Sequence, residues 1–114
     1  MVQTWILHQK ALIDSMNIVK SDNMYILEIE IPSECMHCFH NSIGDTIENF
    51  CKKNNLLYDY YEQYIDFGIG QIYFQDKAIK IIWEEFPNSI SLFIRSYNDC
   101  LLIMDMIKND FYQK

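Results

Sequence analysis

The chain has 114 residues, half of them hydrophobic and 15% aromatic, with three Gly, two Pro and a formal charge of −7. Such a length and composition fit one domain over residues 1–114 and exclude a disordered chain, which lacks the apolar surface to offset its ordering entropy. The acidic balance excludes autonomous nucleic-acid binding and docking on anionic membranes, because both need clustered Lys and Arg, and Arg95 is the single arginine.

Along the chain, Trp5, His8, Leu12, Met16 and Val19 recur at three/four spacing and predict an amphipathic N-terminal helix. Ile6, Leu7 and Ile13 blur that stripe, which leaves open a strand followed by a shorter helix. In Met24 to Ile31, Tyr25, Leu27, Ile29 and Ile31 alternate with Ile26, Glu28 and Glu30, a half-buried strand with an acidic outer face. Pro32-Ser33 is expected to stop it and start a helix with the stripe Met36, Phe39, Ile43, Ile47 and Phe50. Lys52 and Lys53 suit the C-terminal dipole of that helix, and Asn54-Asn55 closes it.

From Tyr58 onward the period changes to two. Strands are predicted near Tyr58–Phe67, Gln71–Gln75, Ala78–Phe86 and Ile90–Arg95, with turns at Gly68-Ile69-Gly70, Asp76-Lys77 and Pro87-Asn88-Ser89. Ser96-x-x-Asp99 opens a last helix through Leu101, Ile103, Met104 and Ile107, whose apolar residues wrap far enough round to predict deep burial. The fold class is therefore α+β: a two-layer domain with an antiparallel β-meander and helices packed on one face. Sorting by face puts Tyr61, Ile65, Phe67, Ile72, Phe74, Ile79, Ile81, Trp83, Ile90, Leu92 and Ile94 in the core. The opposite face receives Tyr58, Tyr60, Glu62, Tyr64, Asp66, Gln71, Tyr73, Gln75, Lys80, Glu84, Ser91 and Arg95.

No apolar run approaches the ~20 residues of a membrane span, and Gln3, His8 and Gln9 interrupt any signal-like start. A cytoplasmic location with reduced cysteines is expected. Cys35-Met36-His37-Cys38-Phe39-His40 is the sharpest local motif. A C-x-x-C opening a helix resembles the redox motif of thioredoxin-like proteins, and Cys35, Cys38, His37 and His40 could instead hold zinc. Against the first, Glu34 stands where that family has Trp, and a carboxylate disfavours a thiolate. Against the second, no further ligand pair has metal spacing. Gly68-Ile69-Gly70 lacks the third glycine of a dinucleotide loop, and no nucleophile elbow occurs. The reading is a protein that is not an enzyme and takes no cofactor.

Charge carries the remaining signal. Between Ser21 and Asp76 ten carboxylates face two lysines, a balance of −8 that leaves +1 for the remainder, and six of the eight tyrosines fall in the same stretch. Plain solvation explains such acidity too. Tyrosine, however, gives contact area at low entropy cost and is enriched in binding surfaces. The candidate partner-binding residues are Glu28, Glu30, Tyr58, Tyr60, Glu62, Tyr64, Asp66, Tyr73 and Glu84. Glu28 and Glu30 join the others only if their strand lies in the same sheet with the same orientation.

In size, acidity and its Tyr58–Asp66 and Glu28/Glu30 strands, the chain resembles bacterial toxin-immunity proteins of contact-dependent inhibition systems and nuclease colicins. That resemblance implies an inhibitor binding a basic protein toxin, with a nuclease domain as the expected target. A thiol or zinc protein centred on Cys35/Cys38, or a small regulatory or assembly subunit, are the alternatives.

Overall fold

The computed structural model describes residues 15–31, 42–85 and 88–112. Among the described residues, six strands form one open antiparallel sheet, and two helices complete an α+β architecture. In chain order these are β1 (Ser15–Ser21), β2 (Met24–Glu30), α1 (Ile43–Asn54), β3 (Leu57–Gln63), β4 (Phe67–Phe74), β5 (Lys77–Glu84), β6 (Ser89–Ile94) and α2 (Tyr97–Tyr112). The spatial order β1-β2-β6-β5-β4-β3 puts β1 and β3 at the edges.

Residues 15–21 correct the N-terminal helix expectation. Met16 and Val19 sit in β1, a hairpin partner of β2 from Ser15↔Glu30 to Ser21↔Met24. Met16 and Ile18 stand opposite Ile29 and Leu27 on the core face, whereas Val19, opposite Ile26, turns to the other face, so the three/four stripe is split by a period of two. Trp5, His8 and Leu12 lie outside the described residues.

Helix α1 is capped at Ser42; the expected helix start at Pro32-Ser33, with Met36 and Phe39, lies outside the described residues. The Ser42 hydroxyl accepts from the Asp45 backbone N–H at 3.1 Å, capping an otherwise orphan donor. Asn55, left-handed at φ 60°, ends the helix, and Lys52 and Lys53 occupy its last turn as expected. The Ser96 hydroxyl likewise accepts from the Asp99 N–H at the start of α2, as its spacing predicts. Deep burial of α2 is corrected: Cys100, Ile103 and Ile107 are buried, but Leu101 and Leu102 are exposed.

Register sorts the sheet into two faces. Leu27, Leu92 and Ile81 stand side by side on neighbouring strands, and Ile29, Ile90 and Trp83 form the next row. Both rows, with Ile72, Phe74, Ile79 and Ile94, join one hydrophobic cluster with Ile43, Ile47 and Cys51 of α1 and Cys100, Ile103 and Ile107 of α2. Leu27 is fully buried at its centre. The Trp83 indole N–H donates to Asn88 Oδ1 at 2.8 Å, so its polar atom enters the core region satisfied.

Two expectations about the meander fail for one reason. Gly68-Ile69-Gly70 is not a turn but the start of β4, and the turn is Tyr64-Ile65-Asp66. The Tyr61 side chain lies over both glycines. A Cβ on Gly68 would overlap the Tyr61 hydroxyl, and one on Gly70 would stand 2.8 Å from the Tyr60 carbonyl oxygen and 2.9 Å from Tyr61 Cδ1. Glycine serves here as the seat of an aromatic ring, which restores the packing that a strand glycine forfeits. Ile65 is consequently 95% exposed rather than in the core, and Phe67 lies on the opposite face from the core.

Gly70→Ala should lower stability by about 1–3 kcal/mol whatever occupies position 61, because backbone blocks the new methyl. Gly68→Ala should cost a similar amount in the native chain but almost nothing in Tyr61→Ala, where the obstructing ring is gone. Denaturant midpoints of the native chain, Tyr61→Ala, and each glycine variant alone and combined with Tyr61→Ala, six proteins in two double-mutant cycles, check both expectations.

Candidate protein-binding face

The face opposite the core carries Asn17 and Val19 from β1, Ile26, Glu28 and Glu30 from β2, and Ser89, Ser91 and Phe93 from β6. Lys80, Ile82 and Glu84 follow from β5, Phe67, Ile69, Gln71 and Tyr73 from β4, and Tyr60 and Glu62 from β3. Among the described residues, every side chain on this face is half-buried or exposed.

Strand β2 lies beside β6 with Glu28 opposite Ser91 and Glu30 opposite Ser89. Glu84 also opposes Ser89 from the other side. The condition for Glu28 and Glu30 to share a surface with Glu62 and Glu84 is therefore met. Two strand spacings separate Glu30 from Glu84, roughly 10 Å, close to the Debye length in physiological salt. Their fields overlap in front of the sheet.

Tyr60 and Tyr73 belong to the same face, and Tyr64 stacks on Phe67 at its end, with ring centroids 4.7 Å apart and planes inclined by 17°. Gln71 links the tyrosine corner: its amide donates to Asp59 Oδ2 and to the Tyr73 hydroxyl, each at 3.0 Å.

Tyr58 is the candidate that the structure moves. It pairs with Ile72 and packs against the core instead of facing outward. The cause is a register shift between Tyr58 and Tyr60 that leaves Asp59 without a register partner on β4. One extra residue inverts the alternation, sending Tyr58 inward and Leu57 outward. Asp66 also leaves the strand. It sits in the β3–β4 turn, where its carbonyl accepts from the Glu85 N–H at 3.0 Å and its carboxylate is exposed.

An apolar band crosses this face that the sequence reading missed. Val19, Ile26 and Phe93 are neighbours across β1, β2 and β6; Phe93 itself faces Lys80, and the band steps diagonally to Ile82 and Ile69 on β5 and β4, with Ile82 opposite Ser91, before Phe67 ends it opposite Glu84. Its signal was present in the doublets Ile26-Leu27, Ile81-Ile82 and Leu92-Phe93. A strand with one wet face should alternate, so two adjacent apolar residues mean that both faces have something to cover. Glu28, Glu30 and Glu84 flank the band on one side. On the other, Lys80 faces Phe93, and a shallow depression of about 510 Å³ is lined by Met24, Ile26 and Phe93 with Asp22 and Arg95.

Charge is sorted along the strands as well. Glu28, Glu30, Glu62, Asp66, Glu84 and Glu85 all lie toward the end of the sheet that holds the β3–β4 turn. Among the described residues no Lys or Arg lies at that end. The stretch 21–76 that looked acidic in sequence is thus divided, and Glu84 and Glu85 join from outside it.

Cys51 and Cys100 are free thiols buried in the core, and burial with the nearby Glu48 pushes the Cys51 thiol up to about 11. Neither is poised for thiolate chemistry. Cys35, His37, Cys38 and His40 lie outside the described residues. Among the described residues no three His, Cys, Asp or Glu side chains gather as a metal group, and no helix is long and apolar enough to cross a membrane. Compared with family models, curated proteins and solved structures, the chain matches none.

Burial, followed by the neighbouring Tyr58, pushes the Tyr61 phenol up from its ordinary 10.0 to about 12. Burial favours the neutral phenol, so the stability it contributes is complete below pH 10 and is lost as pH rises through about 12. Urea midpoints should fall over that window in the native chain and fall less in Tyr61→Phe. Equal alkaline losses in the two proteins would count against the buried phenol.

Proposed function

We propose that the chain is a non-catalytic, cytoplasmic inhibitor of the immunity type that neutralises a basic protein toxin with a nuclease domain. The sheet face opposite the core would cover the target. The observation that carries this reading is the composition of that face: an apolar band of Val19, Ile26, Phe93, Ile82, Ile69 and Phe67, with Glu28, Glu30 and Glu84 along one flank. Solvation alone accounts for exposed carboxylates but not for six apolar side chains among them. A protein interface has that plan, with an apolar centre and charge confined to its rim.

The chemistry of inhibition follows from the rim. A nuclease holds phosphate with Lys and Arg, and carboxylates at comparable spacing occupy those cations in place of substrate. Tyr60, Tyr64 and Tyr73 supply aromatic area whose hydroxyls remain satisfied at a wet margin. Concentrating negative charge at one end of the sheet also steers encounter, which raises the association rate more than the affinity. Speed matters for an inhibitor that must act before damage is done.

Photo-crosslinking from position 60 in the source cells should join the chain to one Lys- and Arg-rich protein, identified by sequencing the joined peptides. Against that purified protein, Glu28→Lys combined with Glu84→Lys should slow association by about tenfold or more at low salt and flatten its salt dependence. Both side chains are exposed, so the thermal midpoint should barely move. An acidic partner, or unchanged association, would overturn the reading. Stable self-association with no basic partner would point to an assembly subunit.

A further inference from the structure

The β3–β4 turn projects an isoleucine into solvent from an unusually well-braced hairpin end. Ile65 is 95% exposed, the most exposed of the large apolar side chains described. A single exposed apolar residue on a loose loop has little meaning. This one sits on a fixed frame. The Tyr64 N–H donates to the Phe67 carbonyl at 2.8 Å, the Gln63 amide donates to the Tyr64 carbonyl at 2.8 Å, and the Glu85 N–H donates to the Asp66 carbonyl at 3.0 Å.

Side chains brace it further. The Tyr61 hydroxyl donates to Gln63 Oε1 at 2.8 Å, and the Tyr64 hydroxyl donates to Glu62 Oε1 at 3.0 Å. The Tyr64 ring then stacks on Phe67. Two of the three turn residues are thus held by their own backbone, and the aromatic pair beside Ile65 is pinned. Bonds of this kind settle the conformation before any partner arrives, which removes the ordering cost that weakens binding by flexible loops.

We propose that Ile65, flanked by the Tyr64/Phe67 stack, is the anchor that enters an apolar pocket on the partner, and that the rim of this pocket carries Lys or Arg. The inference rests on the inhibitor reading and specifies where its tightest contact lies. Charge complementarity selects the partner: Glu62, Asp66, Glu84 and Glu85 surround the tip, with no basic side chain of the described residues at that end of the sheet. A purely apolar pocket would leave these carboxylates unpaired at its lip, whereas a cationic rim pairs them. The tip also continues the apolar band through Phe67, so anchor and face form one contiguous surface. Interfaces concentrate their energy in such an apolar anchor ringed by polar contacts.

The test uses the purified basic protein captured from position 60. Ile65→Ala should weaken its binding at least about tenfold, and Ile65→Asp should weaken it further, chiefly through faster dissociation. Neither variant should shift the thermal melt, because Ile65 is almost wholly exposed. Native-like affinity of Ile65→Asp would overturn the anchor. If Glu28→Lys with Glu84→Lys slows association while Ile65→Asp binds normally, the anchor fails and the inhibitor reading stands. If position 60 captures no basic protein, both fail together.

Discussion

Six residue pairs between β2 and β6, from Tyr25↔Ile94 to Glu30↔Ser89, join the N-terminal hairpin to the meander. Everything that this surface can do depends on that register. Side chains alternate between faces with a period of two, so a slip of one residue would bury Glu28 and Glu30 and expose Leu27 and Ile29. Burying two carboxylates in an apolar cluster is far costlier than any pairing gain could offset. Leu27, flanked by Ile18 and Leu92, therefore enforces the register from the core side. The same constraint places Glu28 and Glu30 beside Ser91 and Ser89 on the open face.

At the other edge a different device sets the orientation. Asp59, which has no register partner on β4, inverts the alternation of β3, and the ring of Tyr61 is seated on Gly68 and Gly70. Tyr61 thus fills a core position at an edge strand where glycines would otherwise leave a gap. Its hydroxyl continues outward to Gln63, which ties the core packing of this edge to the braced turn. Core, bulge and hairpin tip are coupled through one side chain.

Much of this was legible in the sequence, and the failures are instructive. Alternation in Ile79-Lys80-Ile81 and in Leu92 to Ile94 identified the inward face correctly, and Ser96-x-x-Asp99 and Asn55 marked helix ends through capping chemistry. Six strands could be ordered only from the structure, because long-range pairing leaves no local mark. Tyr58 and Phe67 were assigned to the wrong faces since a bulge and a three-residue turn each reset the period without a Gly or Pro to announce them. The glycines that did look like a turn were packing residues. At the candidate site, Glu28, Glu30, Tyr60, Glu62, Tyr73 and Glu84 were gathered as expected, while the apolar band between them went unseen because only its carboxylate flank stands out as charge.

On the proposed reading the face opposite the core, and not the helices, meets the partner. Carbodiimide labelling of carboxylates, with peptide sequencing, in the free chain and in complex with its captured partner tests it most directly. Glu28, Glu30, Glu62 and Glu84 should become protected, while Asp45 on α1 and Asp105 on α2 should label as in the free chain. Protection centred on the two helices, with the four sheet carboxylates still reactive, would contradict the account.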